Sequence, residues 1–318
     1  MSEICKLAVV AVGGNALIRE KGKESLPDQY ASVCITVPHI VDMIQNGWNV
    51  IITHGNGPQV GFILRRSEIA ASEVHSIPLD YGGSNTQGSI GYMFQKSLQN
   101  EFKRRGMSKQ AVAVLTETLV DKNDTAFKTP TKPIGSFMDE KTAVQHRDAD
   151  GWCVMEDAGR GWRRVVPSPV PIKILQQDAI MSLVGAGFTV VAVGGGGIPV
   201  IENDKGEIQG VEAVIDKDSA SALFAASIDA DMFVILTEVD KVAINFNKPN
   251  VQWLDNLSIE DAKKFLTEGQ FGKGSMEPKI KAILSFIEKG GRQALVTNPD
   301  NMLRALRGET GTHFSKKK

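Results

Sequence analysis

The sequence predicts an α/β fold in three layers, with helices on both faces of a mainly parallel sheet. Three apolar runs, each long enough for a buried strand, end abruptly in glycine-rich turns. Runs without polar alternation are typical of parallel strands that are covered on both faces. The runs and turns are Leu7–Val12 before Gly13-Gly14-Asn15, Val50–Thr53 before His54-Gly-Asn-Gly-Pro58, and Val190–Val193 before Gly194-Gly-Gly-Gly-Ile-Pro199.

Glycine turns at the ends of such strands indicate a phosphate-rich ligand. Ligands of parallel sheets bind outside the carboxyl ends of the strands. Because glycine has no Cβ, the backbone N–H groups of these turns can come close to a phosphate. One turn would be weak support, but three in one chain favour a site of this kind.

Length and composition are those of a soluble α/β enzyme. The 318 residues, 42% of them apolar, are enough for a sizeable core and two domains. Lys and Arg (36) nearly balance Asp and Glu (37), so the net charge of -1 favours neither nucleic acid nor an anionic membrane as a partner. No apolar run approaches the ~20 residues of a membrane-spanning helix. The start of the chain lacks signal-peptide features, so we expect a cytoplasmic protein. Its three cysteines are far apart and predict neither a disulfide framework nor a zinc site.

Helices are predicted between these strands from apolar residues at helical spacing. The first follows the first glycine turn, bends at Pro38 and ends at Gly47. The second begins at Pro58, and a third ends near Gly106, before a strand over Ala111–Leu115. The inner faces carry Tyr30, Val33, Cys34, Val37, Ile40, Val41 and Ile44 in the first helix, and Ile90, Met93, Phe94, Leu98 and Phe102 in the third.

The pattern changes between about residue 121 and residue 171. Apolar periodicity fades there and five prolines interrupt polar sequence, over a length that is unusual for a bare loop. We predict an inserted subdomain, partly β, that protrudes from the sheet. A disordered surface loop is the alternative, but Phe137, Trp152 and Trp162 need a surface to pack on.

A second α/β half is predicted to begin near Ile215. A helix over Ile172–Ala186 and a hairpin around Asn203–Gly206 precede it. We therefore divide the chain into residues 1–215, residues 216–314 and a tail of residues 315–318. The second half is predicted to contain a helix starting at Asp216 or Asp218, strands Met232–Leu236, Lys241–Phe246 and Gln293–Thr297, and helix starts at Ser258 and Glu277-Pro278.

Several common site motifs are missing from the sequence. It contains neither a Walker A loop nor a strict G-x-G-x-x-G turn. The ribose-binding acid of a dinucleotide site is not at its expected spacing either, which disfavours a dehydrogenase. Without a G-x-S-x-G elbow, nucleophilic hydrolysis has no support. The histidines lack metal-ligand spacing, and His54 is more simply explained by a structural hydrogen bond than by catalysis.

Two lysines and an acid have a physical case for a role at the site. Lys217 and Asp218 fall at the start of the second half, and Lys279 follows Pro278 at another helix start. A basic residue in a first helical turn opposes the macrodipole at a cost of ~0.3–1 kcal/mol. Finding this twice suggests a bound anion that offsets it, although Lys279 could also be an ordinary exposed lysine.

The combination of motifs is more specific than any one of them. The three glycine turns are followed, in order, by Val214-Ile-Asp-Lys-Asp-Ser-Ala-Ser221, Leu236-Thr-Glu-Val-Asp-Lys-Val242 and Met276-Glu-Pro-Lys279. Their order and spacing resemble those of the amino acid kinase superfamily, and the chain is similar to its carbamate kinases from Leu7 to about Phe314. Two features favour the carbamate kinases over other members of the superfamily. No lysine stands just before Gly13, and the insertion carries Pro130-Thr-Lys132-Pro133. Ala243 departs from the pattern, because related sequences often have a larger residue there, and this could loosen the adenine pocket.

The resemblance implies the reaction ATP + carbamate ⇌ ADP + carbamoyl phosphate in an enzyme built as a homodimer on a central open sheet. It implies Mg²⁺ carried by the nucleotide and use in fermentative arginine breakdown, and we assign no residue of the chain as a metal ligand. Lys217 and Lys279 would face the transferred phosphoryl group, Asp218 would hold these lysines, and Lys132 would reach the bound anion from the inserted subdomain. Phosphate would lie against Gly13, Gly14 and Asn15, carbamate against Gly55, Asn56, Gly57, Gly195, Gly196 and Gly197, and the nucleotide against Thr237, Glu238, Val239, Asp240, Val242 and Met276.

Three alternatives stay open at this point. The chain could be another kinase of this superfamily that acts on a different small molecule. It could also be a catalytically inactive nucleotide sensor, although the intact lysines speak against this. Without the resemblance, Lys132 would be interpreted as a solvated lysine on a polar protrusion.

Overall fold

The computed structural model describes residues 6–14, 17–20, 22–157, 159 and 161–315. Asn15 and most of the predicted tail, residues 316–318, lie outside the described residues. The helices are α1 (Leu26–Gln45), α2 (Gly57–Ala70), α3 (Leu79–Arg104), α4 (Glu140–Asp150), α5 (Gln177–Gly185), α6 (Lys217–Ser227), α7 (Ile259–Thr267), α8 (Met276–Glu288) and α9 (Met302–Leu306).

The strands form four sheets among these residues. They are β1 (Lys6–Val12), β2 (Trp48–His54), β3 (Ala111–Ala113), β4 (Glu117–Val120), β5 (Lys132–Met138), β6 (Val154–Glu156), β7 (Trp162–Val166), β8 (Pro171–Ile174), β9 (Thr189–Val191), β10 (Ile198–Glu202), β11 (Ile208–Gly210), β12 (Met232–Leu236), β13 (Val242–Ile244), β14 (Gln252–Leu254), β15 (Asn256–Ser258), β16 (Gln293–Thr297) and β17 (Thr312–Ser315).

The main sheet has eight strands in the order β15-β17-β16-β12-β1-β2-β9-β3. Its strand pairs are parallel except for β16 and β17, which run antiparallel. Alternate residues of β1 are buried in two separate apolar clusters, Val9 in one and Val10 in the other. Helices α1 and α3 contribute to the Val10 cluster, whereas α5, α6 and α8 contribute to the Val9 cluster. The sheet is thus covered on both faces, and the predicted three-layer class is confirmed.

Two smaller sheets are built from strands near the third glycine turn and from the region predicted as an insertion. The first has four strands in the order β11-β10-β4-β8. The second is antiparallel and has the order β5-β7-β6. Helix α4 packs on it, and the three strands and the helix together occupy residues 132–166. We call residues 132–166 the arm. Strand β5 begins at Lys132, so this lysine lies where the arm starts.

Several predicted elements are confirmed, but one predicted helix start is wrong, and Cys34, predicted on the inner face of the first helix, is exposed instead. Asp216 caps α6, Ser258 caps α7, and β10 and β11 form the predicted hairpin. The helix predicted over Ile172–Ala186 begins only at Gln177, because Pro171–Ile174 form strand β8 beside β4. Pro171 has no N–H group to donate to a neighbouring strand. An edge strand tolerates this, and β8 lies at the edge of its sheet.

Three strands are shorter than predicted. β3 ends at Ala113, β9 ends at Val191, and β13 covers only Val242–Ile244. The backbone turns into the left-handed region at Val193 and again at Asn245, which explains the early end of β9 and of β13. In the described part of the chain, every helix is too short or too polar to cross a membrane.

Candidate active site at the carboxyl ends of the central strands

The first two glycine turns meet where neighbouring strands end. Strand β1 lies between β12 and β2, with Val12 in register with Leu236 and with His54. The Gly13 N–H donates to the Leu236 carbonyl at 3.2 Å, and the Gly55 N–H donates to the Val12 carbonyl at 3.0 Å. A Cβ on Gly55 would come within 3.0 Å of the Gly14 nitrogen, so glycine is what allows the two turns to touch.

The third glycine turn packs against the second. Gly195 has φ +67°, and a Cβ there would lie 2.2 Å from Nδ2 of Asn56. Helix α3 braces both turns: Asn56 Nδ2 donates to Thr86 Oγ1 at 2.8 Å, and Gln87 Nε2 donates to the Gly194 carbonyl at 3.0 Å. The three turns predicted from the sequence therefore come together at one place.

A cluster of lysines and aspartates lies beside these turns. Asp216 caps α6, because its Oδ1 accepts from the N–H groups of Asp218 and Ser219, both at 3.0 Å. The buried carboxylate of Asp218 forms ion pairs with Lys217 and with Lys279, whose Nζ is 3.4 Å from Asp218 Oδ2. Lys132 reaches the same place from the arm, with its Nζ 3.2 Å from Asp216 Oδ2.

A cavity of about 660 Å³ extends from this cluster along the second half of the chain. Gly13, Gly14, Lys217 and Lys279 line it together with several residues from the C-terminal half. The latter include Thr237, Glu238, Val239, Ala243, Phe246, Trp253, Phe271 and Met276. The cavity thus joins the glycine turns and lysines to a region with apolar walls.

Comparison with known proteins assigns this arrangement to a family. Residues 6–298 match the model of the amino acid kinase family. The chain belongs to the amino acid kinase family. A carbamate kinase of Thermococcus kodakarensis is 47% identical over 311 residues, which cover 96% of this chain and 98% of the relative. The carbamate kinase-like protein YahI of Escherichia coli is 46% identical over 314 residues, which cover 98% of this chain and 99% of the relative.

A solved structure of a relative agrees with this family assignment. The structure of Giardia lamblia carbamate kinase bound to AMP-PNP matches with a TM-score of 0.93 at 37% identity, and the match covers 99% of each chain. The resemblance drawn from the sequence motifs is therefore confirmed. The mainly parallel central sheet described above is the amino acid kinase fold.

The charges of the cluster stabilise one another in this member of the amino acid kinase family. Burial alone would raise the pKa of Asp218, but the ammonium groups of Lys217 and Lys279 outweigh it and hold that pKa below its usual value. Burial lowers the pKa of Lys279, as does repulsion from Lys217, while Asp218 partly opposes the shift. Lys279 is thus closer to losing its proton than an ordinary lysine.

His54 is a structural residue of the second turn. It is buried, stacks on Phe94 with ring centroids 6.0 Å apart, and its Nδ1 lies 3.0 Å from the Gly55 carbonyl. Because a carbonyl can only accept, this hydrogen bond requires the proton on Nδ1. Burial lowers the pKa of His54 to about 4, with Lys217 acting in the same direction and the Gly55 hydrogen bond opposing it. The imidazole is therefore neutral near pH 7, in agreement with the structural explanation.

The predicted nucleotide residues divide into two groups in the structure. Thr237, Glu238, Val239 and Met276 line the cavity. Asp240 instead accepts hydrogen bonds from the hydroxyls of Thr297 and Thr310, and the side chain of Val242 is buried in the core. These two residues support the cavity wall from behind.

Some lining residues were missed by the sequence analysis. Phe246 and Trp253 meet edge to face, with ring centroids 6.1 Å apart at 82°, and remain 53% and 49% exposed at the cavity. Aromatic side chains are a usable signal, but the sequence predicts Phe246 as the end of the strand Lys241–Phe246, and no motif marks Trp253. Thr86 and Gln87 had no signal at all, since nothing in α3 points to a contact with glycine turns far away in the sequence.

The donor set offers little to a metal ion held by protein alone. Among the described residues, no three His, Cys, Asp or Glu side chains group together as metal ligands. Mg²⁺ is commonly held by one or two carboxylates together with substrate phosphates. The cavity lining includes Glu238 and Asp300, so the donor set fits an ion that arrives with a polyphosphate better than a resident ion.

Proposed function

We propose that the protein is a carbamate kinase, a phosphotransferase that moves a phosphoryl group reversibly between ATP and carbamate. The observation that carries this proposal is the Lys217–Asp218–Lys279 cluster, whose two lysines line the cavity together with Gly13 and Gly14. The names of the Thermococcus and Giardia relatives support the choice of carbamate as acceptor.

The cluster suits phosphoryl transfer to an anionic acceptor. This reaction depends on alignment and charge neutralisation more than on covalent help from the protein. Carbamate already has an anionic oxygen, so no general base is needed. At ~4 Å and an effective dielectric constant near 20, each ammonium–oxyanion attraction is worth about 4 kcal/mol. Lys217 and Lys279 would offset the repulsion between the acceptor and the polyphosphate, while Asp218 holds both in position.

The glycine turns would bind the two anions on either side of the transferred group. We assign phosphate binding to Gly13, Gly14 and Asn15, and carbamate binding to Gly55, Asn56 and Gly57, with Gly195, Gly196 and Gly197 as the wall. Helix α2 begins at Gly57, so its N-terminus lies at this turn, and N–H groups of a first helical turn favour anions.

The cavity would hold the nucleotide, with Mg²⁺ carried on its phosphates. Thr237, Glu238, Val239 and Met276 would contact the nucleotide, and Phe246 and Trp253 would form an apolar wall for its base. Asp240 and Val242 would act from behind this wall. When bound, Mg²⁺ neutralises phosphate charge, and the lysines add to this neutralisation from the protein side.

The domain division proposed from the sequence fits these assignments. Residues 1–215 would bind carbamoyl phosphate, with residues 121–171 as the inserted subdomain, and residues 216–314 would bind the nucleotide. Lys132 would complete the anion site from the inserted subdomain. Its contact with Asp216 supports this role.

We further propose a cytoplasmic homodimer that makes ATP from carbamoyl phosphate in fermentative arginine breakdown. The exposed free thiols of Cys34 and Cys153 suit a reducing compartment. Tyr81 and Tyr92 on α3 are 63% and 59% exposed and three helical turns apart, so they share a face that a second copy would cover. Light scattering coupled to gel filtration tests the dimer, and Tyr92→Glu is expected to weaken it.

A second candidate function is phosphoryl transfer to another small acid. The observation that favours it is that YahI, 46% identical over nearly the whole chain, is named only carbamate kinase-like. The overall identity of the relatives therefore does not by itself choose the acceptor.

One assay separates the candidates. Purified protein is given MgADP with carbamoyl phosphate, and ATP is measured by a coupled enzyme, with acetyl phosphate as the competing donor. A carbamate kinase forms ATP faster from carbamoyl phosphate than from acetyl phosphate, and Lys279→Ala abolishes most of the ATP formation. ATP from acetyl phosphate alone would favour the second candidate, whereas nucleotide binding without turnover would indicate a sensor.

A further inference from the structure

We propose that Asp216 is a positioning residue that holds the arm's Lys132 at the site before substrate arrives. Its two carboxylate oxygens have separate contacts. Oδ1 accepts from the first N–H groups of α6, both at 3.0 Å, and Oδ2 lies 3.2 Å from Lys132 Nζ. The helix cap therefore fixes this carboxylate in space, and the carboxylate in turn holds the ammonium group.

The backbone of Lys132 is already fixed by packing at the root of the arm. In the antiparallel ladder Lys132 is paired with Val166, which is buried in an apolar cluster with Ile134 and with Val60 of α2. The Val214 N–H also donates to the Pro167 carbonyl at 3.0 Å, just beyond the end of the arm. What remains free is the long lysine side chain, and losing that freedom costs entropy. Asp216 determines where the ammonium group rests.

The neighbouring charges make an anchor necessary. Lys217 and Lys279 are already paired with Asp218, so a third ammonium group brought to the same place is repelled by theirs. Without the charge of Asp216, Lys132 would turn toward water, because 41% of its side chain is already exposed. With that charge, an arriving anion meets three ammonium groups in place.

The anchor is also easy to exchange. Ion pairs as exposed as Lys132–Asp216, whose side chains are 41% and 26% exposed, contribute little to stability. An incoming oxyanion can therefore replace Asp216 as the partner of Lys132 with little loss of stabilising free energy. Asp216 would act through Lys132 and not on the reacting atoms.

The first test measures Lys132 directly and needs no activity. Substrate-free protein is treated with a limiting amine acetylating reagent, and the labelling rate of each lysine is followed by peptide mass spectrometry. In Asp216→Asn, which keeps an oxygen to cap the helix, Lys132 is expected to label about two- to fivefold faster, as an exposed ion pair of modest strength allows.

A matched control comes from a second exposed pair. Lys122 is paired with Asp204, outside the proposed site. Asp204→Asn should speed the labelling of Lys122 and leave Lys132 unchanged, and Asp216→Asn should do the reverse. Equal labelling of Lys132 in the wild type and in Asp216→Asn would overturn the anchor. If Asp216→Asn does not fold, Asp216→Ser, also a good N-cap, replaces it.

The second test rests on the proposed function, since it uses carbamoyl phosphate as substrate. Asp216→Asn should raise KM for carbamoyl phosphate about three- to tenfold, the range for losing one partly exposed charge contact, and leave KM for ADP and kcat unchanged. In a Lys132→Met background the same substitution should have no further effect. An equal effect in that background would mean that Asp216 acts by another route, and the proposal would fail.

The two tests keep the two proposals apart. A change in Lys132 labelling in a protein that does not use carbamoyl phosphate would retain the anchor and reject the proposed function. Normal turnover with unchanged labelling and unchanged KM would reject the anchor and retain the function.

Discussion

At the scale of single residues, the buried carboxylate of Asp218 determines the behaviour of the lysines around it. A buried charge is costly unless it is paired, and Asp218 is paired twice, with Lys217 and with Lys279. The attraction of each ammonium group to this carboxylate offsets the repulsion between the two. Their charge is thereby held in the cleft in the absence of substrate.

Replacing Lys279 by alanine is expected to damage catalysis far more than folding. The side chain is 16% exposed at the cleft and supports no apolar core, and Lys217 still pairs with Asp218. By analogy with other lost charge-stabilising groups, kcat should fall roughly 10²- to 10³-fold. The check is steady-state kinetics together with a urea unfolding curve. Near-normal kcat with an unaltered unfolding midpoint would make Lys279 a bystander.

The lowered pKa of Lys279 predicts an alkaline limit on activity. Burial and Lys217 lower this pKa from 10.5, so the charged form is lost, and kcat falls, at a pH below that value. Asp218→Asn removes a charge that raises the pKa of Lys279, so the alkaline limb should move to still lower pH. The measurement is kcat against pH from 7 to 10.5. A limb that stays in place in Asp218→Asn would contradict this coupling.

At the scale of elements, the third glycine turn depends on close approach to the second. Gly195→Ala puts a Cβ 2.2 Å from Asn56 Nδ2 at a backbone φ of +67°. We expect a loss of about 1–3 kcal/mol in the free energy of unfolding, and a rise in KM for carbamoyl phosphate as Asn56 is displaced. Gly185→Ala is the matched control, because Gly185 lies in α5 with open space around it. Gly185→Ala should change stability by less than ~1 kcal/mol, and an equally mild Gly195→Ala would show that the turns are not tightly packed.

Local sequence signals predicted most elements but few of the contacts between them. Apolar runs, proline at a helix start and an aspartate cap act over a few residues, so β1, α2 and the start of α6 could be predicted. The strand β8 could not, because its edge position depends on pairing with β4, more than 50 residues away in the chain. The same holds for Lys132 with Asp216 and Gln87 with Gly194, which are 84 and 107 residues apart.

At the scale of the whole molecule, buried His54 makes stability depend on pH. Its pKa is about 4 in the folded state and 6.5 in an unfolded chain. Between these values the unfolded state binds the proton and the folded state does not, so stability is full above pH 6.5 and falls as pH falls toward 4. The total loss from this residue is about 3 kcal/mol.

Urea unfolding at pH 7 and at pH 4.5 checks this expectation. In His54→Gln the drop in unfolding free energy between the two pH values should be smaller, even if the variant is less stable at both. His75→Gln, at an exposed histidine, is the control and should keep the wild-type drop. An unchanged drop in His54→Gln would mean that another group dominates the acid limb.

The position of β1 has a consequence for how the chain is made. β1 is complete at Val12, but its partner β12 begins at Met232, and the Leu7 N–H donates to Asp231, which is 224 residues away in sequence. At a synthesis rate of about 5–20 residues per second, one side of β1 stays unpaired for on the order of 10 to 40 s. An open apolar strand side is a template for wrong pairing with other chains. One of the two central strands of the finished sheet is thus an edge strand during most of the synthesis of the chain, and we expect chains that stop before residue 232 to aggregate.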